Sequence, residues 1–221
     1  MQTVNIVLSI FVVILGITAL GIIKVKNIKL TFVKNMPLKT RVVDSILYIL
    51  ITTSFFSLSY LMLHFLSFFK KNHIEAATNS VDLYMDRSIW LFLVFAVVVP
   101  FVEEIYFRGI FLHLLEKKFS AKIAILLSSL LFGLLHFDLI SKVFDGIMLC
   151  ILRKKHGLAL SIFLHAFFNA LGYFNLRKSF DENSIVNFQL SYLSIVVCSI
   201  LVVVAVVFFA KFVNYNKKYI S

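Results

Sequence analysis

Cysteine is nearly absent from this chain: of 221 residues only Cys150 and Cys198 carry thiols, both on apolar stretches. That excludes a disulfide framework and a Cys-rich structural zinc site; buried, inert thiols are the expected state. Two prolines and one tryptophan stand against 25 phenylalanines, a balance that fits lipid-facing helices. Acidic residues are scarce too, 11 against 22 bases. The net charge of +11 does not point to a nucleic-acid partner, because the bases sit in short loops between apolar runs. Membrane proteins fix their orientation in that way. The first 23 residues carry no charged side chain, and the bases follow at Lys24 and Lys26. A signal peptide has its bases before the apolar run. A retained first helix with its N-terminus outside is therefore expected.

What is present in quantity is apolar surface: 61% of residues are hydrophobic and the mean hydropathy is +0.96. Runs of this length read as transmembrane helices. Seven apolar segments emerge, at about 4–23, 45–69, 88–115, 123–137, 141–152, 157–176 and 185–210. They are too long, and alternate too little, for barrel strands. The expected fold is all-α, a polytopic transmembrane helical bundle of about seven helices forming one membrane domain over residues 1–221. Bases concentrate in loops 24–41, 116–122 and 153–156 and in the tail, which together hold 15 of the 22. The intervening regions 70–87, 138–145 and 177–184 hold six bases and seven acids. Strict alternation of the two kinds places the C-terminus in the cytoplasm. The fifth segment is the weak one. It is short, carries Lys142 and Asp145, and is either a crossing sheltered among other helices or re-entrant. Loop 24–41 reads either as an interfacial amphipathic helix or as a solvated loop near anionic lipid.

Three ionisable side chains interrupt the third segment, in Glu103-Glu104-Ile105-Tyr106-Phe107-Arg108. A charge at membrane depth costs roughly 2.5–3.5 kcal/mol on insertion scales, so such groups pair, line a wet cavity or do chemistry. Glu104 and Arg108 are four apart, share a helix face and can pair. Glu103 points about 100° away and remains available for proton transfer. Pro100 removes a backbone bond upstream and is expected to kink the helix beside Glu103. On the fourth segment Ser128, Phe132 and His136 form one stripe; on the sixth, Ser161, His165 and Asn169 form another. Each stripe alone reads equally well as interhelical hydrogen bonding. Depth joins them. At about 1.5 Å per residue, Glu103 lies about 20 Å from the basic end of its helix, His136 about 21 Å, and His165 and Asn169 about 15 and 21 Å. His64 belongs to no such motif, His73 and His156 fall in loops and His113 near a helix end; all four read as structural or solvated.

Glu-Glu-x-x-x-Arg, Phe-x-x-x-His and His-x-x-x-Asn, in this order on separate apolar helices, resemble the CPBP family of intramembrane proteases. This is the CAAX prenyl protease type II, Abi and bacteriocin-processing group. The resemblance covers about residues 88–176, and every motif position matches. It implies that Glu103 and His136 activate water, that His165 and Asn169 stabilise the oxyanion, and that Glu104–Arg108 hold the site together. The family is often described as metalloproteases, yet His-Glu-x-x-His is lacking here. Two readings stay open. One is a divalent metal, zinc, on Glu103, His136 and His165 with a position for water. The other is a metal-free glutamate–histidine pair.

The expected protein is thus an intramembrane endopeptidase acting on a membrane-associated or lipidated peptide, with membrane lipid as its other partner. The Lys-, Asn-, Ile- and Phe-rich composition resembles that of low-GC bacteria. A bacterial plasma membrane, with peptide maturation or bacteriocin self-immunity ahead of CAAX-type processing, is the corresponding expectation. The rivals are a non-catalytic membrane immunity or scaffold protein of the same fold and a proton-coupled transporter. The transporter lacks support from any inverted repeat.

Overall fold

The computed structural model describes residues 14, 16–69, 89–136, 138–179 and 191–221. Within them lie seven helices and no strand. They are α1 (16–26), α2 (Leu38–Phe69), α3 (89–116), α4 (Ala121–Leu134), α5 (Leu139–His156), α6 (Leu158–Ser179) and α7 (Tyr192–Tyr215), followed by a 3₁₀ turn at Lys217–Tyr219. Helices α2 and α7 are long and apolar enough to cross a membrane, and α4 and α6 are shorter apolar helices. The N-terminal part of the first segment, loop 70–87 with His73, and residues 180–190 lie outside the described residues.

Helix α5, the weak segment of the sequence, is the axis of the bundle. Met148, Leu149, Cys150, Ile151 and Leu152 are all fully buried, so this stretch is apolar all round because protein surrounds it. Tyr48, Ile51 and Phe55 of α2, Ala124 and Ile125 of α4, Leu164 and Phe168 of α6, and Phe212 of α7 close over it. The helix also runs further than the apolar run that marks it. Asp138 caps its start, accepting from the Ser141 backbone N–H. The basic cluster 153–156, read from sequence as a loop, is its last turn, where cations suit the helix dipole. Lys155 and His156 are buried there and each lies 2.6 Å from Asp44 of α2. Lys155 also donates to Asn216 at 2.9 Å, which fixes the C-terminal turn. Helix α7 keeps a lipid-type exterior, with Ile200 and Val203 exposed.

Loop 24–41 is not an amphipathic helix but a largely exposed strap, with Ile28 buried and its backbone docked on the protein. Residues 28–37 run without helix across the α5–α6 junction. The Leu158 and Ala159 N–H groups, unpaired donors at the start of α6, donate to the carbonyls of Thr31 and Phe32 at 3.0 and 2.8 Å. The Lys34 N–H returns a bond to the His156 carbonyl at 2.9 Å. Burial, with Arg153 and Lys154 close by, holds the Lys34 ammonium below its ordinary pKa. Close passage requires glycine at 157, where φ is +98° and a Cβ would stand 2.4 Å from the Phe32 oxygen. Gly157→Ala is expected to cost about 1–3 kcal/mol, measured as a fall in the thermal unfolding midpoint of detergent-purified protein.

Candidate active site

Helix α3 carries the acidic motif on a backbone wound wider than α. Two π-type stretches, Val94–Val98 and Ile105–Phe111, flank Val99–Glu104. Pro100 neither ends the helix nor stands alone as a kink: the first π stretch precedes it. The Val99 N–H bonds to the Val94 carbonyl, and Pro100 brings no N–H of its own. At that place Asn169 of α6 donates its side-chain amide to the Phe95 carbonyl at 3.2 Å. The second π stretch is met in the same way by α4, where Ser128 donates to the Phe107 carbonyl at 3.1 Å. Irregular turns of this kind are frequent at functional sites.

Glu104 and Arg108 are fully buried, and Arg108 Nη1 lies 2.9 Å from Glu104 Oε1. The same oxygen is 3.0 Å from His165 Nδ1. A carboxylate can only accept, so Nδ1 carries a proton; in the neutral imidazole Nε2 is then the lone-pair side. That Nε2 faces Glu103 Oε2 at 3.6 Å, too long for a hydrogen bond. Glu103 keeps 18% side-chain exposure, whereas His165 keeps 1%. The Arg108 guanidinium also sits 4.0 Å over the Phe132 ring, a cation–π contact. Glu103 Oε2, Glu104 Oε2, His165 Nε2 and the three Arg108 nitrogens have no aligned hydrogen-bond partner in the protein. Buried polar atoms at this density call for water or for a ligand's polar groups.

The six motif residues are not brought together equally. Glu103, Glu104, Arg108 and His165 form one contact group. Asn169 is one turn along from His165, but one amide hydrogen is committed to Phe95. His136 lies just past the end of α4, and its Nδ1 donates to the Phe132 carbonyl at 2.7 Å. It bonds to neither Glu103 nor His165; Phe132 stands as common neighbour, its ring centroid 4.5 Å from His136 and 5.5 Å from His165. Among the described residues no group of three His, Cys, Asp or Glu side chains is close enough to hold a metal. The set Glu103, His136 and His165 therefore does not fit a three-ligand zinc site as it stands.

Some polar neighbours escaped the sequence reading. Asp145 of α5 accepts from Tyr48 at 2.5 Å and from Thr52 at 3.4 Å, both on α2, and lies 3.8 Å from Lys142. The charges at 142 and 145 were visible as oddities in an apolar segment. Tyr48 and Thr52 carry no motif that would have flagged them.

Because Glu104 holds both Arg108 and His165, Glu104→Gln strands a buried cation. It is expected to cost about 3–5 kcal/mol. Asn169→Ala, which removes one neutral hydrogen bond, should cost about 1 kcal/mol. Folded yield and thermal midpoint in detergent measure both. Equal, small effects would show that Glu104 is not the keystone of the site.

The family model described as Type II CAAX prenyl endopeptidase Rce1-like matches residues 85–171. That stretch runs across α3, α4, α5 and most of α6 and contains all the motif residues above. No curated protein and no solved structure gives a significant match to the chain. Residues 85–171 of this membrane protein are thus similar to the Rce1-like family of CAAX-type endopeptidases.

Proposed function

We propose that the chain is an intramembrane endopeptidase in which Glu103 and His165 handle the attacking water. The observation that carries this reading is the pair Glu103 Oε2 and His165 Nε2. They lie 3.6 Å apart and neither has a hydrogen bond within the protein, so one shared water would satisfy both. Glu103 takes a proton from that water as its oxygen attacks the scissile carbonyl carbon. The proton then passes to the amide nitrogen, the C–N bond breaks, and a carboxylic acid and an amine leave.

Glu104 supports this step by fixing the His165 tautomer, as a buried carboxylate does for a catalytic histidine. His165 thereby moves to the water side, since a bare Nε2 accepts and does not stabilise an oxyanion. The second amide hydrogen of Asn169 is the donor available to the oxyanion. His136, with Nδ1 committed to Phe132, offers Nε2 as a further proton acceptor at the rim.

The substrate in this reading is a membrane-associated or lipidated peptide. The basic ends of α3, α5 and the tail face the cytoplasm under the positive-inside rule, and the site opens about 20 Å deeper. Glu103→Gln and His165→Ala are each expected to lower turnover by about 10²–10⁴-fold, Glu103→Gln with membrane-inserted yield near wild type and His165→Ala with a reduced one. His136→Ala should lower it less. The assay is cleavage of lipopeptides by purified protein, read by mass spectrometry. Full activity of Glu103→Gln would contradict the mechanism.

A further inference from the structure

The basic ends of α3 and α5 meet the strap 28–37 with more positive charge than the protein itself neutralises. Lys34 Nζ donates to the Lys154 carbonyl at 2.5 Å, so an ammonium from the strap stands against the last turn of α5. Arg153 is within electrostatic reach of that ammonium. Among the described residues, Glu116 is the one carboxylate within such reach of Lys34 or Arg153. Lys154 already lies 2.6 Å from it. Arg153 is half-buried, yet no described carboxylate forms an ion pair with its guanidinium. Three cations thus share one anion. A partly desolvated cation without a counter-charge is costly, so this place favours an anion from outside the chain.

The surroundings say what kind of anion. Arg153 offers a planar fork of N–H donors and Lys34 a point charge, a combination that suits a phosphate. The two residues before Lys34 on the strap, Phe32 and Val33, are 42% and 61% exposed. Apolar side chains left in the open beside bases at helix ends belong to the boundary between headgroups and acyl chains. A free phosphate gains nothing from Phe32 and Val33, whereas a phospholipid lays its acyl chains against them. A phosphocholine headgroup brings its own cation, which the cluster repels. A headgroup with net negative charge has no such conflict.

We propose that Lys34, Arg153 and Lys154 form a headgroup site for an anionic phospholipid, whose phosphate bridges the strap to the end of α5. The site stands apart from Glu103 and is independent of the protease reading. Bound lipid pins residues 28–37 where the Lys34 N–H already meets the His156 carbonyl at 2.9 Å. It also relieves the crowding with Arg153 and Lys154 that bears on the Lys34 ammonium.

The test titrates the full chain, purified in detergent, with phosphatidylglycerol, with phosphatidylcholine of the same acyl chains, and with inorganic phosphate, and follows the thermal unfolding midpoint. Phosphatidylglycerol should raise the midpoint saturably, as a ligand of the folded state does, and the other two should not. In Arg153→Gln the apparent affinity for phosphatidylglycerol should fall about tenfold, the loss of one charge-assisted contact. Lys34→Gln, on the exposed strap, should act in the same direction and keeps the test decisive if Arg153→Gln fails to fold. Lys211→Gln, an exposed base of α7 outside the cluster, should leave the affinity unchanged. No rise with phosphatidylglycerol, or an equal rise with phosphatidylcholine, overturns the site. An equal rise with inorganic phosphate overturns the lipid as its occupant. An equal loss in Lys211→Gln and Lys34→Gln also overturns it, since diffuse surface charge would then account for the binding.

Discussion

One carboxylate oxygen inside the bundle, Glu104 Oε1, meets an ion-pair partner on one side and a hydrogen-bond donor on the other. Arg108 reaches it along the same helix and His165 reaches it from α6, at 2.9 and 3.0 Å. An unpaired charge at this depth is costly, so the three groups must be positioned together or not at all. Their meeting sets the packing of α3 against α6. Asn169 to Phe95 and Ser128 to Phe107 extend it to the two π stretches of α3. Phe132 completes it from α4 by giving the guanidinium a ring face.

That arrangement divides the labour between adjacent glutamates. Glu104 is enclosed and spent on holding its neighbours. Glu103 keeps some exposure and an oxygen without a hydrogen-bond partner in the protein. Two carboxylates in neighbouring positions thus acquire different chemistry from environment alone, the pattern by which acid and base roles separate in other active sites. The α5 axis contributes differently. Its buried middle fixes the spacing of the other helices, and its two ends carry charge. Lys155 and His156 lock to Asp44 at one end. At the other, Lys142 faces a pocket between α2 and α5.

Much of this was legible in the residues. The apolar runs located the helices, because burial in lipid and burial in protein both demand them. The i, i+4 spacing of Glu104 and Arg108 gave their pairing correctly, since helix geometry alone decides it. The extent of α5 was not legible, because its ends are polar and a hydropathy pattern sees only the middle. Nor was the docking of residues 28–37, which depends on backbone groups that every residue carries and on Gly157. The resemblance has Glu103 and His136 acting on one water, and no direct hydrogen bond joins them here. The helix ends at Leu134, so the stripe that carried His136 inward is broken before it arrives, and Nδ1 turns back to Phe132.

The division of roles between Glu103 and Glu104 depends most directly on the protonation of His165. Magnetic resonance of isotope-labelled histidine in the micelle-bound protein at neutral pH resolves which ring nitrogen bears hydrogen. The expected spectrum has His165 protonated at Nδ1 and bare at Nε2, with that preference lost in a Glu104→Asp variant that still folds. A proton on Nε2 in the wild-type protein, or a rapid mixture of tautomers, would contradict it. In either case Glu104 would not orient His165, and Glu103 would have no partner at the water.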